Sequence, residues 1–118
     1  MTQAEKDSEE ESSESRRKRK KILLLTDLSQ NSMPPLYSLS SALVIPSKGE
    51  GWGRPHMEAM SCGTPVIATN WSGPTAYLTA RNGYPLPVDR MVSAASSGWN
   101  GHRWAEASEE SLRALMRR

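Results

Sequence analysis

The stretch that decides the fold is ALVIPSKGEGWGRPHMEAMSCGTPVIAT, residues 42–69. Its two ends, 42–45 and 65–69, are short continuous apolar runs, typical of strands that are covered on both faces of a parallel sheet. Between them lie a glycine-rich loop and an amphipathic pattern over 55–62, which Gly63 follows at a common C-terminal position. The stretch therefore predicts strand, loop, helix and strand, a compact βαβ unit with parallel strands.

Upstream of this unit, the run Ile22-Leu23-Leu24-Leu25-Thr26 predicts another buried strand, because it is apolar, continuous and too short for a helix. Ser32 is a candidate N-cap for a short helix over 33–41, where Pro34 is tolerated in the first turn. The fold class is therefore α/β, with a partial Rossmann-like parallel sheet.

Downstream, residues 84–88 predict an extended edge segment, because two of its five residues are prolines that cannot donate to a ladder. Residues 89–103 contain several Ser, Ala and Gly and predict a long loop. Ser108 is the expected N-cap of a final helix whose first turn is acidic and whose last turn is basic.

Residues 1–21 differ in character from the rest of the chain of 118 residues. They are almost free of apolar residues, and six acids precede a run of six bases at 16–21. Such a segment cannot bury enough surface to offset the entropy of ordering, which predicts a disordered charged tail and a folded domain over 22–118. The basic run leaves a nuclear-localisation patch open, but no aromatic residue is interleaved with it, so we expect no nucleic-acid partner.

Cysteine usage and hydropathy indicate the cellular compartment in which the protein is expected. Cys62 is the single cysteine, which excludes an internal disulfide. No run approaches the ~20 apolar residues that a membrane span requires, and no apolar signal region follows the N-terminus. We therefore expect no membrane span and a cytoplasmic protein, with a nuclear alternative through the basic run.

The candidate chemistry lies in the loop 47–53. In an open parallel sheet, ligands bind beyond the carboxyl ends of the strands, and this loop follows such an end. Its three glycines permit a close backbone approach that side chains would block. The next helix starts near Arg54, so its free N–H groups and its positive dipole end favour a phosphate or another anion.

Two carboxylates bracket this loop and helix, Glu50 and Glu58, with seven residues between them. An ionised carboxylate accepts strong hydrogen bonds from a vicinal diol, and a nucleotide sugar carries one diol on each side of its diphosphate. Two alternatives stay open from the residues alone: Glu58 pairs with Arg54 on the helix surface, or the acids and His56 hold a metal ion. The metal site is disfavoured because these ligands are few, and no metal or other cofactor is expected.

The run MPPLYSLSSALVIPSKGEGWGRPHMEAMSCGTPVIATNWSGPTAYL, residues 33–78, is similar to the C-terminal domain of the group 1 glycosyltransferases. This is a large retaining family with the GT-B fold, and GHRWAE at 101–106 resembles the subset whose loop has the sequence GEGWGRP. The resemblance covers roughly 32–118. It implies that the chain is the nucleotide-sugar-binding half of a GT-B enzyme.

The resemblance also implies roles for individual residues. The acid that matches Glu58 binds the ribose hydroxyls of the nucleotide, and the acid that matches Glu50 lies by the donor sugar and is the candidate catalytic residue. Transfer of a hexosyl group from a nucleotide-diphosphate sugar proceeds with retention and usually without a metal. Further donor-binding candidates are Gly51, Trp52, Gly53 and Arg54, followed by Thr69, Asn70 and Gly73.

The chain also departs from the family pattern. The acceptor-binding domain and the first βα units of the donor domain have no counterpart in this sequence, and Ala76 stands where relatives often carry an acid. We therefore expect the isolated chain to be inactive, with a missing acceptor domain or a full-length relative as a partner. The alternatives are a non-catalytic nucleotide-sugar-binding or interaction module, and a truncated remnant without function.

Overall fold

The computed structural model describes residues 1–7 and 22–118. Its centre is a parallel three-stranded sheet with strands β1 (Leu43–Ile45), β2 (Val66–Thr69) and β3 (Tyr84–Leu86) in the order β1-β2-β3. All four residues of β2 are buried, because this strand has a neighbour on each side. The predicted βαβ unit, its parallel pairing and the edge position of 84–86 are confirmed.

Three α-helices accompany the sheet: α1 (Met33–Leu39), α2 (Arg54–Ser61) and α3 (Glu109–Met116). Helices α1 and α2 pack on each other, and α2 also contacts β1 and β2. The core is a cluster of buried residues from these elements and the following loop: Tyr37, Ala59, Val66, Ala68 and Leu78. In the described parts of the chain, no helix is long and apolar enough to cross a membrane.

The ends of the helices show which capping predictions hold. Ser108 caps α3 as predicted, since its hydroxyl accepts a hydrogen bond from the Ser111 N–H at 3.1 Å. Gly63 follows α2 with φ +75°, the left-handed conformation that glycine adopts without a steric cost. Ser32 precedes α1, but its side chain makes no capping bond. Short 3-10 turns lie at Gln30–Ser32, Gly73–Ala76 and Ala95–Ser97.

The prediction of a long loop over 89–103 is wrong. Strands β4 (Val88–Ser93) and β5 (Arg103–Ala107) form an antiparallel hairpin. An ion pair between Arg90 and Glu106 at 2.6 Å crosses the hairpin, and the Ala105 N–H donates to the Lys48 carbonyl at 3.0 Å. The Ser, Ala and Gly residues at 94–101 do lie in the connection between the two strands. Strand β4 forms because it pairs with β5 further along the chain, and local composition does not indicate that partner.

The prediction of a buried strand over 22–26 is also wrong. These residues pair with no strand of the described chain, and Ile22, Leu23 and Leu24 are 98%, 77% and 85% exposed. An apolar run becomes a strand only where a neighbour supplies the backbone hydrogen bonds, and the hydropathy pattern does not specify that neighbour.

Residues 3–7, which belong to the predicted tail, form a short helical turn. Thr2 and Glu5 cap this turn, with the Thr2 N–H donating to the Glu5 carboxylate at 2.6 Å. The residues of this turn are exposed, in agreement with the lack of apolar surface. The rest of the predicted disordered tail, residues 8–21, lies outside the described residues.

Candidate functional site

The loop between β1 and α2 lies at the carboxyl end of the parallel sheet, and its residues 49–53 are here called the glycine loop. Gly53 ends this loop as the N-cap of α2, with φ +91° and a buried backbone. A Cβ at this position would stand 2.5 Å from the Tyr77 hydroxyl and 2.7 Å from Nδ1 of His56. Both the backbone angle and the close packing therefore require glycine at position 53.

A second loop fixes the conformation of the glycine loop. This clamp segment, residues 72–77, supplies the Ser72 Oγ that accepts from the Glu50 N–H at 2.9 Å. The Gly73 N–H donates back to the Glu50 carbonyl at 3.0 Å. The Tyr77 hydroxyl is 2.7 Å from the carbonyl of Trp52 and 3.0 Å from that of Gly53. The glycine loop is thus held along its length by hydrogen bonds to one other segment.

Four consecutive N–H groups, from Gly51 to Arg54, have no hydrogen-bond acceptor among the described residues. They lead directly into the N-terminus of α2, where the helix dipole places positive charge. The Arg54 side chain is 82% exposed at the same helix end. Unpaired N–H groups, a helix N-terminus and a nearby guanidinium are the groups that favour an anion such as a phosphate.

The Glu50 carboxylate lies half-buried beside the clamp segment. No hydrogen bond or ion pair reaches this carboxylate from the described residues, whereas its backbone is fully engaged. Its negative charge acts on His56 and on Tyr77, and it adds to burial in raising the pKa of Tyr77. An unpaired carboxylate next to an anion site is available to a polar ligand such as a sugar.

Glu58 lies on the other flank of α2, beside α1. The Tyr37 hydroxyl donates to it at 3.2 Å, and burial, followed by Glu58 itself, raises the pKa of Tyr37. The pair with Arg54 exists, but its N–O distance is 3.9 Å and both side chains are exposed, so it contributes little. Glu58 and Tyr37 also line a cavity of about 380 Å³ between the two helices. This cavity is open to a polar group that approaches Glu58.

The three remaining candidates differ in their position. Gly73 belongs to the clamp segment and contacts the glycine loop directly. Thr69 ends β2, and its buried hydroxyl has no hydrogen-bond partner among the described residues. Asn70 is exposed, and its backbone N–H donates to the Leu86 carbonyl at 2.9 Å. Gly73 is therefore part of the site, and Thr69 and Asn70 lie at the strand end behind it.

Sequence reasoning missed three residues of this arrangement: Tyr37, Ser72 and Tyr77. Ser72 has φ +56°, a conformation that is uncommon for a residue with a side chain. The motif Ser-Gly-Pro at 72–74 indicated a turn, but nothing in it indicates the segment that the turn contacts. In the sequence pattern the two tyrosines resemble other core-forming residues, and only the fold shows that their hydroxyls lie at the site.

His56 is fully buried beneath the glycine loop, and neither of its ring nitrogens has a hydrogen-bond partner among the described residues. Burial lowers the pKa of His56, and the Glu50 charge partly opposes this effect. We therefore expect stability to be complete above about pH 6.5 and to fall below it, because the unfolded chain takes up the proton first. The free energy of unfolding should change by up to about 1.4 kcal/mol per pH unit from this group.

Chemical denaturation between pH 5 and 7.5 measures this dependence. His56→Asn should flatten the slope, whereas His102→Asn, which changes an exposed histidine, should leave the slope unchanged. An equal slope in His56→Asn and in the unchanged protein would show that His56 titrates normally.

Comparison with known proteins shows the family of the chain. The profile of the family described as "Glycosyl transferases group 1" matches residues 2–95. The chain belongs to this family. The family match contains the glycine loop, both acids and the clamp segment, which are the parts of the site derived above.

Of residues 1–7 and 22–118, no three His, Cys, Asp or Glu side chains are grouped to hold a metal ion.

The chain is similar to parts of three proteins that are named as mannosyltransferases or a glycosyltransferase. The chain is 50% identical over 38 residues to O-antigen chain mannosyltransferase B of Escherichia coli, a match that covers 32% of this chain and 10% of that protein. It is 48% identical over 46 residues to O-antigen chain mannosyltransferase RfbU of Salmonella typhimurium, covering 39% and 13%. It is 30% identical over 86 residues to D-inositol 3-phosphate glycosyltransferase of Mycobacterium tuberculosis, covering 72% and 16%.

The chain thus spans between 10% and 16% of the length of these three relatives. No solved structure matches it.

Proposed function

We propose that this chain is the donor-binding part of a retaining glycosyltransferase that transfers a hexosyl group from a nucleotide-diphosphate sugar. The observation that carries the proposal is the row of four unpaired N–H groups from Gly51 to Arg54, at the N-terminus of α2 and between the two acids. Family membership supports a role in glycosyl transfer, and this row of N–H groups offers hydrogen-bond donors to the diphosphate.

The two acids fit the two ends of such a donor. Glu58, with Tyr37 and the adjoining cavity, offers a carboxylate to the ribose hydroxyls on the α1 side of the helix. Glu50, whose carboxylate has no partner in the part of the chain that the structure describes, offers one to the hexose on the clamp side. Hydrogen bonds from hydroxyls to an ionised carboxylate are stronger than those to neutral acceptors, so each acid adds to affinity and to orientation.

The same arrangement supports the chemistry of transfer. When the bond between the anomeric carbon and the phosphate oxygen breaks, the departing diphosphate gains negative charge. The N–H groups of the glycine loop and the dipole of α2 stabilise that charge, because they are already oriented towards it. The Glu50 carboxylate stabilises the positive charge that develops on the sugar ring. The acceptor hydroxyl attacks the anomeric carbon from the same face and loses its proton to the leaving group.

Nuclear magnetic resonance titration of the labelled chain tests donor binding. UDP-glucose, GDP-mannose and ADP-glucose are the probes, and the mannose donor is included because two relatives are named mannosyltransferases. We expect at least one to shift the amide signals of Gly51 to Arg54, and the matching nucleoside without phosphates to shift them much less. Absence of any shift in these four signals at millimolar concentrations of every donor would contradict the proposal.

A further inference from the structure

We infer that Tyr77 is a positioning residue for the donor diphosphate, acting through the backbone of the glycine loop. The inference rests on the proposed function. The observation behind it is that one hydroxyl reaches two successive carbonyl oxygens, those of Trp52 and Gly53, at 2.7 and 3.0 Å.

A contact that fixes a carbonyl oxygen also fixes the direction of the N–H group in the same peptide unit. In a trans peptide unit the carbonyl oxygen and the following N–H point in opposite directions. A carbonyl of Trp52 held towards Tyr77 therefore directs the Gly53 N–H away from Tyr77. The Gly53 carbonyl, which also accepts from the Met57 N–H at 3.2 Å, directs the Arg54 N–H in the same way. Both of these N–H groups have no acceptor among the described residues.

The clamp segment acts in the same way on a third peptide unit. The Gly73 N–H holds the Glu50 carbonyl at 3.0 Å, which directs the Gly51 N–H away from the clamp segment. Three of the four unpaired N–H groups are thus oriented by contacts to the carbonyl oxygen of their own peptide unit, which points the opposite way within the same plane. Orienting donors before the ligand arrives removes the cost of ordering them during binding.

Tyr77 is itself held in place. Its ring lies 5.0 Å from the Trp52 ring with the planes tilted by 52°, and its carbonyl accepts from the Asn82 side chain at 2.7 Å. Burial, with a smaller contribution from Glu50, raises the pKa of Tyr77, so the hydroxyl keeps its proton and remains a donor near neutral pH. The residue therefore provides a fixed hydrogen-bond donor beneath the glycine loop.

The variant Tyr77→Phe, made in the full chain, keeps the ring and removes only the hydroxyl. Tyr84→Phe is the matched control, because Tyr84 lies on β3 and its hydroxyl makes no hydrogen bond within the described residues. UDP, GDP and ADP are titrated against each protein, and the tightest of them is compared with its nucleoside. We expect Tyr77→Phe to weaken the diphosphate roughly 10-fold and the nucleoside less than 2-fold, with no change in Tyr84→Phe.

A readout without ligand separates this inference from the proposed function. Nitrogen-15 relaxation should show the order parameter of the Gly53 N–H falling from about 0.85 towards 0.6 in Tyr77→Phe. That of the Arg54 N–H should fall less, because the Met57 N–H still holds the Gly53 carbonyl. If the unchanged chain binds no nucleotide, the proposed function fails, and the order parameters alone decide whether Tyr77 holds the loop. Unchanged order parameters, an unchanged diphosphate affinity where binding occurs, or an equal loss for diphosphate and nucleoside would overturn the role assigned to Tyr77.

Discussion

Replacement of Glu58 by alanine is expected to weaken a nucleoside diphosphate and its sugar conjugate alike, by roughly 10- to 100-fold. The reason is that Glu58 is proposed to bind the ribose, which both ligands contain, and a charge-assisted hydrogen bond contributes about 1.5–3 kcal/mol. Titration calorimetry with UDP and UDP-glucose, or with the guanosine or adenosine pair, measures the effect. Glu58 lies with Tyr37 at the cavity near α1, which leaves room for a ribose on that side of the helix.

Glu50→Ala is the matched variant and should change the affinity for one of the two ligands but not for the other. If Glu50 faces the hexose, its loss weakens the sugar conjugate and leaves the bare diphosphate nearly unchanged. The glycine loop should keep its shape in this variant, because its hydrogen bonds to Ser72 and Gly73 use the backbone of Glu50 rather than its side chain. Equal losses for both ligands in both variants would contradict this division of roles.

Two controls distinguish ligand binding from the alternatives that the sequence leaves open. If the role of Glu58 is only to pair with Arg54, Arg54→Ala and Glu58→Ala should lower stability equally with no ligand effect. The distance of 3.9 Å and the exposure of both groups argue for a small stability effect, on the order of 0.5 kcal/mol or less. If the two acids hold a metal, both variants should lose a dependence on divalent ions together.

The parallel unit at 42–69 could be predicted because its information is local. The strand, loop and helix follow from apolar runs, glycines and a terminating Gly63, and the structure places each element within two residues of the prediction. Glu50 and Glu58 were also located correctly on the loop and the helix, since these positions depend only on the same local elements. The roles of the two acids remain predictions.

The contacts that shape the site could not be predicted, because they join segments that are distant in sequence. Tyr77 lies 24 residues after Gly53, and Ser72 lies 22 residues after Glu50. No local pattern specifies which loop a turn contacts. The same limit explains why the hairpin at 88–107 was not predicted, since its two strands depend on each other. It also explains the exposed run at 22–26, which has no partner strand within 1–7 or 22–118.

Gly73→Ala is expected to reduce binding of a nucleotide-diphosphate sugar by about 100-fold or more, because it displaces the glycine loop. A Cβ on residue 73 would overlap the carbonyl oxygen of Gly51 and stand 2.6 Å from its carbonyl carbon. Backbone atoms cannot move aside as a flexible side chain can, so either the loop or the clamp segment must shift. Losing two oriented N–H contacts to a charged diphosphate costs about 1.5–3 kcal/mol each. Calorimetry of the variant with the donor that binds the unchanged chain measures the loss.

Gly98→Ala is the control for a general loss of stability. Gly98 has φ +84°, so alanine introduces backbone strain there, but no atom lies within 4 Å of the added Cβ and the residue is outside the site. This variant should unfold at a lower temperature, as Gly73→Ala does, yet bind the donor with unchanged affinity below its unfolding transition. If Gly73→Ala also binds normally, the clamp segment does not determine the shape of the glycine loop. In that case the unpaired N–H groups from Gly51 to Arg54 would no longer identify the diphosphate site.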